Sequence, residues 1–219
     1  MLGTMPSVFI YVVSRDFGFA PNPFHGYCTL ATCKPGVRNA AKVGDWVIGM
    51  GGSRLQATHR CIFAMQVDQK ITFDEYWSNP IYYEKKPVRN GSKKMLVGDN
   101  IYYRRSPNSV WQQADSHHSN PDGSTNNKNL KTDTSANAVL LSNRFFYFGK
   151  EAPTVPSSVI SKLGYANVRN YRRFDYIDAK PLIEWLFRHF SASTSQVLGD
   201  PFDFHQSARH YSGEGNKIV

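Results

Sequence analysis

A carboxylate, an imidazole and a thiol lie close together early in the chain: Asp16, His25 and Cys28, all within the stretch RDFGFAPNPFHGYCTLATCKP that opens at Arg15. An acid with an imidazole can move protons, and an imidazole with a thiol can prepare a nucleophile. Arg15 and Asn22 add a cation and a hydrogen-bonding amide to the same loop. The alternative role for all of these groups is to anchor an irregular loop stiffened by Pro21 and Pro23, because a sequence carries no base-to-nucleophile geometry. Either way, a loop this dense in specific side chains is a candidate site.

Metal chemistry is not expected. His117 and His118, with Asp115 and Asp122, are ligand types, but neighbouring histidines rarely converge on one ion and their segment reads as a mobile surface loop. The three cysteines form no CxxC pair, and Cys28 and Cys33, in a segment read as a strand, would point to opposite faces. No cofactor is expected, and reduced thiols in a cytoplasmic protein are the expectation. Gly49-Met50-Gly51-Gly52 after a strand could cradle a phosphate, with Arg54 and Arg60 nearby, yet it lacks the further glycine of a dinucleotide fingerprint and any GK[ST]. A hairpin turn is its expected role.

Charge points to the partner. The chain has 26 Lys+Arg against 17 Asp+Glu, a formal net charge of +9, which favours polyanions. Cations interleave with flat rings in the run from Tyr82 to Arg105, which ends in Tyr102, Tyr103, Arg104 and Arg105, and again at Arg144 to Tyr147. Cations hold phosphates and rings stack on bases, so nucleic acid or a nucleotide is the expected partner, against the plainer reading of a solvated basic face. No apolar run is long enough to span a bilayer, the first residues lack the pattern of a secretion signal, and no membrane partner is expected.

The elements that must position these residues are short. Ser7–Ser14, Tyr27–Cys33, Trp46–Met50 and Cys61–Val67 read as strands, and Ala138–Phe148 has strand character at both ends. Lys34-Pro35-Gly36 reads as a turn, and Thr72 with an acid three residues on reads as the cap of a short helix. Asp178–Phe190 is the clearest helix, with Asp178 as its cap, Pro181 in its first turn and an apolar stripe through Leu182, Ile183, Leu186, Phe187 and Phe190. The whole chain, 1–219, reads as one α+β domain: a curved, mostly antiparallel sheet or small barrel flanked by a few helices. A polar excursion over about 112–136 and a flexible tail over about 207–219 complete it.

Three segments also carry a resemblance. RDFGFAPNPFHGYCTLATCKP, VGDWVIGMGG and LLSNRFFYFG together resemble the phage and bacterial family of nucleotide modification associated domains, type two, over Val8 to about Phe190. The resemblance implies a link to nucleotide or DNA modification and supplies no established catalytic residues. VGDWVI followed by CIFAMQV and a short aromatic helix is also similar to the framework of PUA-like domains of the EVE and ASCH types. That likeness implies an aromatic pocket for a modified base or RNA, with Trp46, Phe63, Tyr76 and Trp77 as cage candidates whose plainer role is core. The expected function is binding of nucleic acid or a modified nucleotide, with a modifying enzyme as a possible partner. The alternative is an enzyme acting on a nucleotide or nucleobase through the Arg15–Cys28 loop.

Overall fold

The computed structural model describes residues 5–219. Its strands are β1 (Ser7–Val13), β2 (Cys28–Leu30), β3 (Trp46–Gly51), β4 (Cys61–Gln66), β5 (Gln69–Ile71), β6 (Tyr102–Tyr103), β7 (Gln112–Gln113), β8 (Val139–Ser142), β9 (Arg144–Tyr147), β10 (Tyr171–Asp175), β11 (Gln196–Val197), β12 (Tyr211–Ser212) and β13 (Lys217–Ile218). Its helices are α1 (Pro35–Ala40), α2 (Phe73–Ser78), α3 (Lys93–Leu96), α4 (Asn127–Asp133), α5 (Ser157–Leu163) and α6 (Tyr176–Phe190). The class is α+β. The chain groups into two compact units, each drawn from separate stretches: the first from the segment ending at Asp16, Ala41–Asp68 and Ser142–Phe202, the second from Phe17–Ala40, Gln69–Leu141 and Asp203–Val219.

The first unit is a six-stranded sheet in the order β10-β1-β3-β4-β9-β11. Its pairings are antiparallel except β1 with β3 and β9 with β11, and the sheet ends at β10 and β11, so it is open rather than a barrel. The β-branched and aromatic run of β1 is buried along both faces, as expected of a central strand beside a parallel neighbour. Ala179, Leu182, Ile183 and Leu186 form the buried stripe of α6, while Phe187 meets Trp46 and Phe146 edge-on. The helix begins two residues before the sequence expectation, directly from β10 with Asp175 at its N-cap. The Tyr176 N–H, one of the donors a helix start leaves unbonded, is taken by the Pro6 carbonyl. Pro181 consequently sits inside the helix rather than in its first turn.

Gly49 and Gly51 belong to β3 rather than to a turn or phosphate loop, while Gly52 opens the 3₁₀ turn that follows the strand. A Cβ on Gly49 would lie 2.2 Å from the Phe63 ring, and one on Gly51 would lie 2.2 Å from the Ala57 carbonyl oxygen. At Gly51 the obstacle is backbone, which cannot swing aside. Gly51→Ala is therefore expected to destabilise the protein by about 1–3 kcal/mol through overpacking, read from the urea midpoint at constant slope. A midpoint equal to that of the parent would contradict this account.

The second unit packs a three-stranded sheet, β2-β8-β5, and the β6–β7 hairpin around an aromatic core that includes Phe17, Phe19, Phe73, Tyr76, Tyr102 and Phe204. The expected cap of α2 is present as a full capping box between Thr72 and Glu75. Lys34-Pro35-Gly36 is not a free turn, because α1 starts at Pro35, whose fixed φ suits a first helical position. Two further expectations change. Ser116, His117, His118 and Ser119 are buried rather than on a surface loop, and their polar groups bond one another, as when the Ser116 N–H and Ser119 Oγ meet at 3.1 Å. Satisfied in this way, a polar segment can go inside. The expected loose tail is paired as well: β12 runs antiparallel to β13, and the Tyr211 N–H donates to the His117 carbonyl at 2.6 Å.

Candidate active site

The first strong feature of the second unit is a strained turn. After β2 the chain passes through Cys33 at φ 57° and Lys34 at φ 39°, both left-handed and both unfavourable for side chains with a Cβ. Such strain persists only where the surroundings over-determine it, and it concentrates at functional sites. Here the Cys33 N–H donates to Asp133 Oδ1 at 2.8 Å, and the Cys33 carbonyl accepts from Arg38 Nε at 2.8 Å. Arg38 is wholly buried and also donates to the carbonyls of Ala136, Ala138 and Asp133. One guanidinium thus fixes the Cys33 turn against the end of α4 and the start of β8.

Asp133 ends α4, whose N-cap Asn126 accepts from the Asn129 N–H. His118 comes from the buried segment after β7, where its carbonyl accepts from Gln113 and Asn129 side chains. The three side chains meet in line. Cys33 Sγ lies 3.7 Å from His118 Nε2, and His118 Nδ1 lies 2.7 Å from Asp133 Oδ2, which also accepts the Tyr102 hydroxyl at 2.8 Å. Nucleophile, proton carrier and orienting carboxylate stand in the relation that defines a catalytic triad by geometry. Cys33 is part-exposed, whereas the His118 and Asp133 side chains are only 4% and 2% exposed, so the sulfur is the member a substrate can reach.

Electrostatics fit that arrangement. Burial alone would push the His118 pKa down, but the Asp133 carboxylate and the Cys33 sulfur raise it to about 10. Asp133 is held below the usual carboxylate range: burial pushes it up, and the charges of His118 and Arg38 outweigh burial. The neighbouring His117 behaves oppositely. Burial and the proximity of His118 push it down to about 3, and its Nδ1 is bonded to the Arg209 carbonyl.

Cys33, His118 and Asp133 also bring ligand-type atoms within 4.8 Å of one another. Both Asp133 oxygens are already occupied, Oδ1 by the Cys33 N–H and Oδ2 by His118 and Tyr102. His118 Nδ1 is itself bonded to Oδ2, which makes the carboxylate the orienting partner of the ring rather than a separate ligand. The donor pattern fits a triad better than a metal site.

Sequence reasoning singled out a different trio. Asp16 belongs to the first unit, where the Tyr147 hydroxyl and the Phe202 N–H bond its two oxygens. Cys28 lies in β2 with no exposed surface, and burial drives its thiol pKa up, which suits an inert cysteine. His25, at φ 60°, has Nδ1 4.0 Å from Glu84, and burial with the nearby Lys85 charge lowers its pKa. Asn22 is structural: its side chain donates to the Val97 carbonyl and accepts from Lys85 at 2.8 Å. The strand expected over Tyr27–Cys33 ends at Leu30, which leaves Cys33 outside it. His118 is buried, against the expectation of a mobile surface loop. The signal within reach was the Cys33-Lys34-Pro35 break before α1.

The basic and aromatic candidates also separate by role. Arg60 donates to the carbonyls of Ala152 and Lys150, bracing a loop of the first unit, and Arg144 bonds Gln66 and lies over Phe187. Arg15 and Arg54 also lie in that unit, Arg54 exposed on a short 3₁₀ turn. Trp46 is 2% exposed in the core and Phe63 is fully buried, so neither presents a ring to a ligand. In the second unit Arg104 is bound to Asp74, Tyr102 is buried against Asp133, and Arg105, Trp77 and Tyr103 reach the surface. No helix among the described residues is long and apolar enough to cross a membrane.

No curated protein and no solved structure matches the chain. The profile of the family described as nucleotide modification associated domain 2 matches residues 5–208, which include Cys33, His118 and Asp133, and the chain belongs to that family.

Proposed function

We propose that this protein is an enzyme of nucleotide modification that works through the Cys33 thiol, with His118 as proton carrier and Asp133 as its orienting partner, on a nucleotide or a base in nucleic acid. The observation that carries the reading is the in-line contact of Sγ with Nε2 at 3.7 Å and of Nδ1 with Oδ2 at 2.7 Å. In the step this geometry supports, the Cys33 thiol passes its proton to His118 Nε2 as sulfur forms a bond to an electrophilic carbon of the substrate and displaces an electron pair from that carbon. His118 Nε2 gives a proton to the atom that receives the displaced electron pair, and it recovers one when an incoming nucleophile releases the adduct. The family's association with nucleotide modification supplies the substrate class.

A second reading, binding of nucleic acid or a modified nucleotide without chemistry, is favoured by the net charge of +9.

The test is to incubate the protein with deoxynucleotides and with single-stranded and duplex oligonucleotides, reading products and protein adducts by mass spectrometry. Cys33→Ala is expected to remove the adduct and to lower product formation by at least about 10³-fold while circular dichroism shows the parent fold. Full conversion by Cys33→Ala would overturn the enzymatic reading. Equal retention of nucleic acid by both proteins with no conversion by either would establish the second.

A further inference from the structure

The second unit carries an outward row of rings and cations that neither its core nor the Cys33 triad uses. In β6 successive side chains point to opposite faces, so Tyr102 turns inward to Asp133 and Tyr103 outward. On α2 the same division places Tyr76 in the core and Trp77 at the surface. Trp77 and Tyr103 stack face to face, with ring centroids 4.0 Å apart and planes 11° from parallel. Lys86 Nζ lies 3.9 Å above the Trp77 ring and 5.3 Å from the ring of Tyr83, which is 70% exposed. Arg105 is exposed two residues after Tyr103.

Aromatic pairs within proteins favour offset or edge-to-face contact, and a near-parallel pair at the surface, continued by a cation and a further exposed ring, resembles a stack left open at one end. We infer that Tyr83, Lys86, Trp77 and Tyr103, with Arg105, form a stacking platform for single-stranded nucleic acid. A base entering between Tyr83 and Trp77 takes the place of the Lys86 ammonium, which is then released to a flanking phosphate. Each ring offers a base only its flat face, so the surface tolerates any sequence. A duplex keeps its base faces stacked and cannot use it. Beyond that slot the exposed Tyr83 ring has a second face for a neighbouring base, which matches a strand rather than one free nucleotide. The cations give the surface the charge that the strand's phosphates require.

The platform stands apart from the chemistry proposed for Cys33, and one experiment separates them. Binding of an oligo(dT) strand, its matched duplex and thymidine monophosphate is followed by tryptophan fluorescence at fixed salt for the parent, Tyr83→Ala, Trp77→Ala, Lys86→Ala and Cys33→Ala. Tyr83→Ala and Trp77→Ala are expected to weaken strand binding about 5- to 150-fold each, the range that loss of one base stack produces. Duplex binding should be unchanged and Cys33→Ala should bind like the parent. Tyr83 is exposed, so its variant folds even if Trp77→Ala does not. Strand affinity unaltered in Tyr83→Ala and Lys86→Ala would overturn the platform, as would mononucleotide binding as tight as strand binding. Loss of turnover in Cys33→Ala with strand binding intact would bear on the triad alone.

Discussion

Asp133→Asn is expected to fold, to return His118 to a neutral ring at pH 7, and to slow Cys33-dependent turnover by about 10³- to 10⁴-fold, the loss seen when a triad carboxylate becomes an amide. The asparagine keeps the shape but exchanges one acceptor oxygen for a donor, so it cannot accept from the Cys33 N–H and also from His118 and Tyr102 as Asp133 does. Without the carboxylate charge, burial, already the largest influence on His118, is opposed only by the Cys33 sulfur and is expected to draw the pKa down from about 10 to the ordinary value or below. The linkage has a definite sign. Because the folded pKa of His118 lies above its unfolded value, its charged form stabilises the parent fully below about 6.5, and that contribution is lost as pH rises toward 10. Asp133, with a depressed folded pKa, contributes above its unfolded value and loses that contribution in acid. The variant should therefore lose the alkaline decline in urea stability attributable to His118, and its imidazole protons should titrate near or below the ordinary histidine range by NMR. A histidine still charged at pH 8 in Asp133→Asn, with turnover unchanged, would show that Asp133 neither charges nor orients the ring.

The residues of this site illustrate which features a linear sequence displays. β1, β3, β4 and the apolar stripe of α6 were legible because burial imposes a local period, and the α2 cap was legible because a capping box is a local pattern. The triad has no such period: its members come from a strained turn, a buried polar segment and the end of a short helix. Polar sequences such as SHHS read as surface until their partners are known, since burial is tolerable only once each group is bonded. The same reasoning explains the basic residues. Arg38, Arg60 and Arg104 count equally with Arg105 in a tally of charge, yet the first three bind carbonyls or a carboxylate within their own units. The Arg15–Gly26 loop is dense in specific side chains, yet Asn22 within it serves a structural cation, Lys85.

That cation carries the other large expected effect: Lys85→Met should destabilise the protein by about 3–5 kcal/mol, the cost of leaving a buried carboxylate without the nearby ammonium that offsets its charge. Lys85 is 1% exposed, and its ammonium donates to the Asn22 carbonyl and amide oxygen, the Tyr27 carbonyl and Thr29 Oγ1. Its countercharge is Asp99, fully buried and accepting from the Thr29 and Tyr76 hydroxyls. Methionine fills the space but leaves those acceptors bare and the carboxylate uncompensated. Adding Asp99→Asn removes the stranded charge while keeping an oxygen acceptor, so Lys85→Met/Asp99→Asn should recover part of the loss in a double-mutant cycle. The pH dependence sharpens the test. Burial lowers the folded pKa of Lys85 to about 8, below its unfolded value of 10.5, so the unfolded chain holds more protons in that window and this group makes stability rise with pH across it. His118 acts in the opposite sense over an overlapping range, and in the parent the two slopes oppose each other. Lys85→Met removes the rising contribution, so its stability should fall more steeply than that of the parent between about pH 8 and 10. A parallel pair of curves would mean that Lys85 is not held as a depressed, buried ammonium.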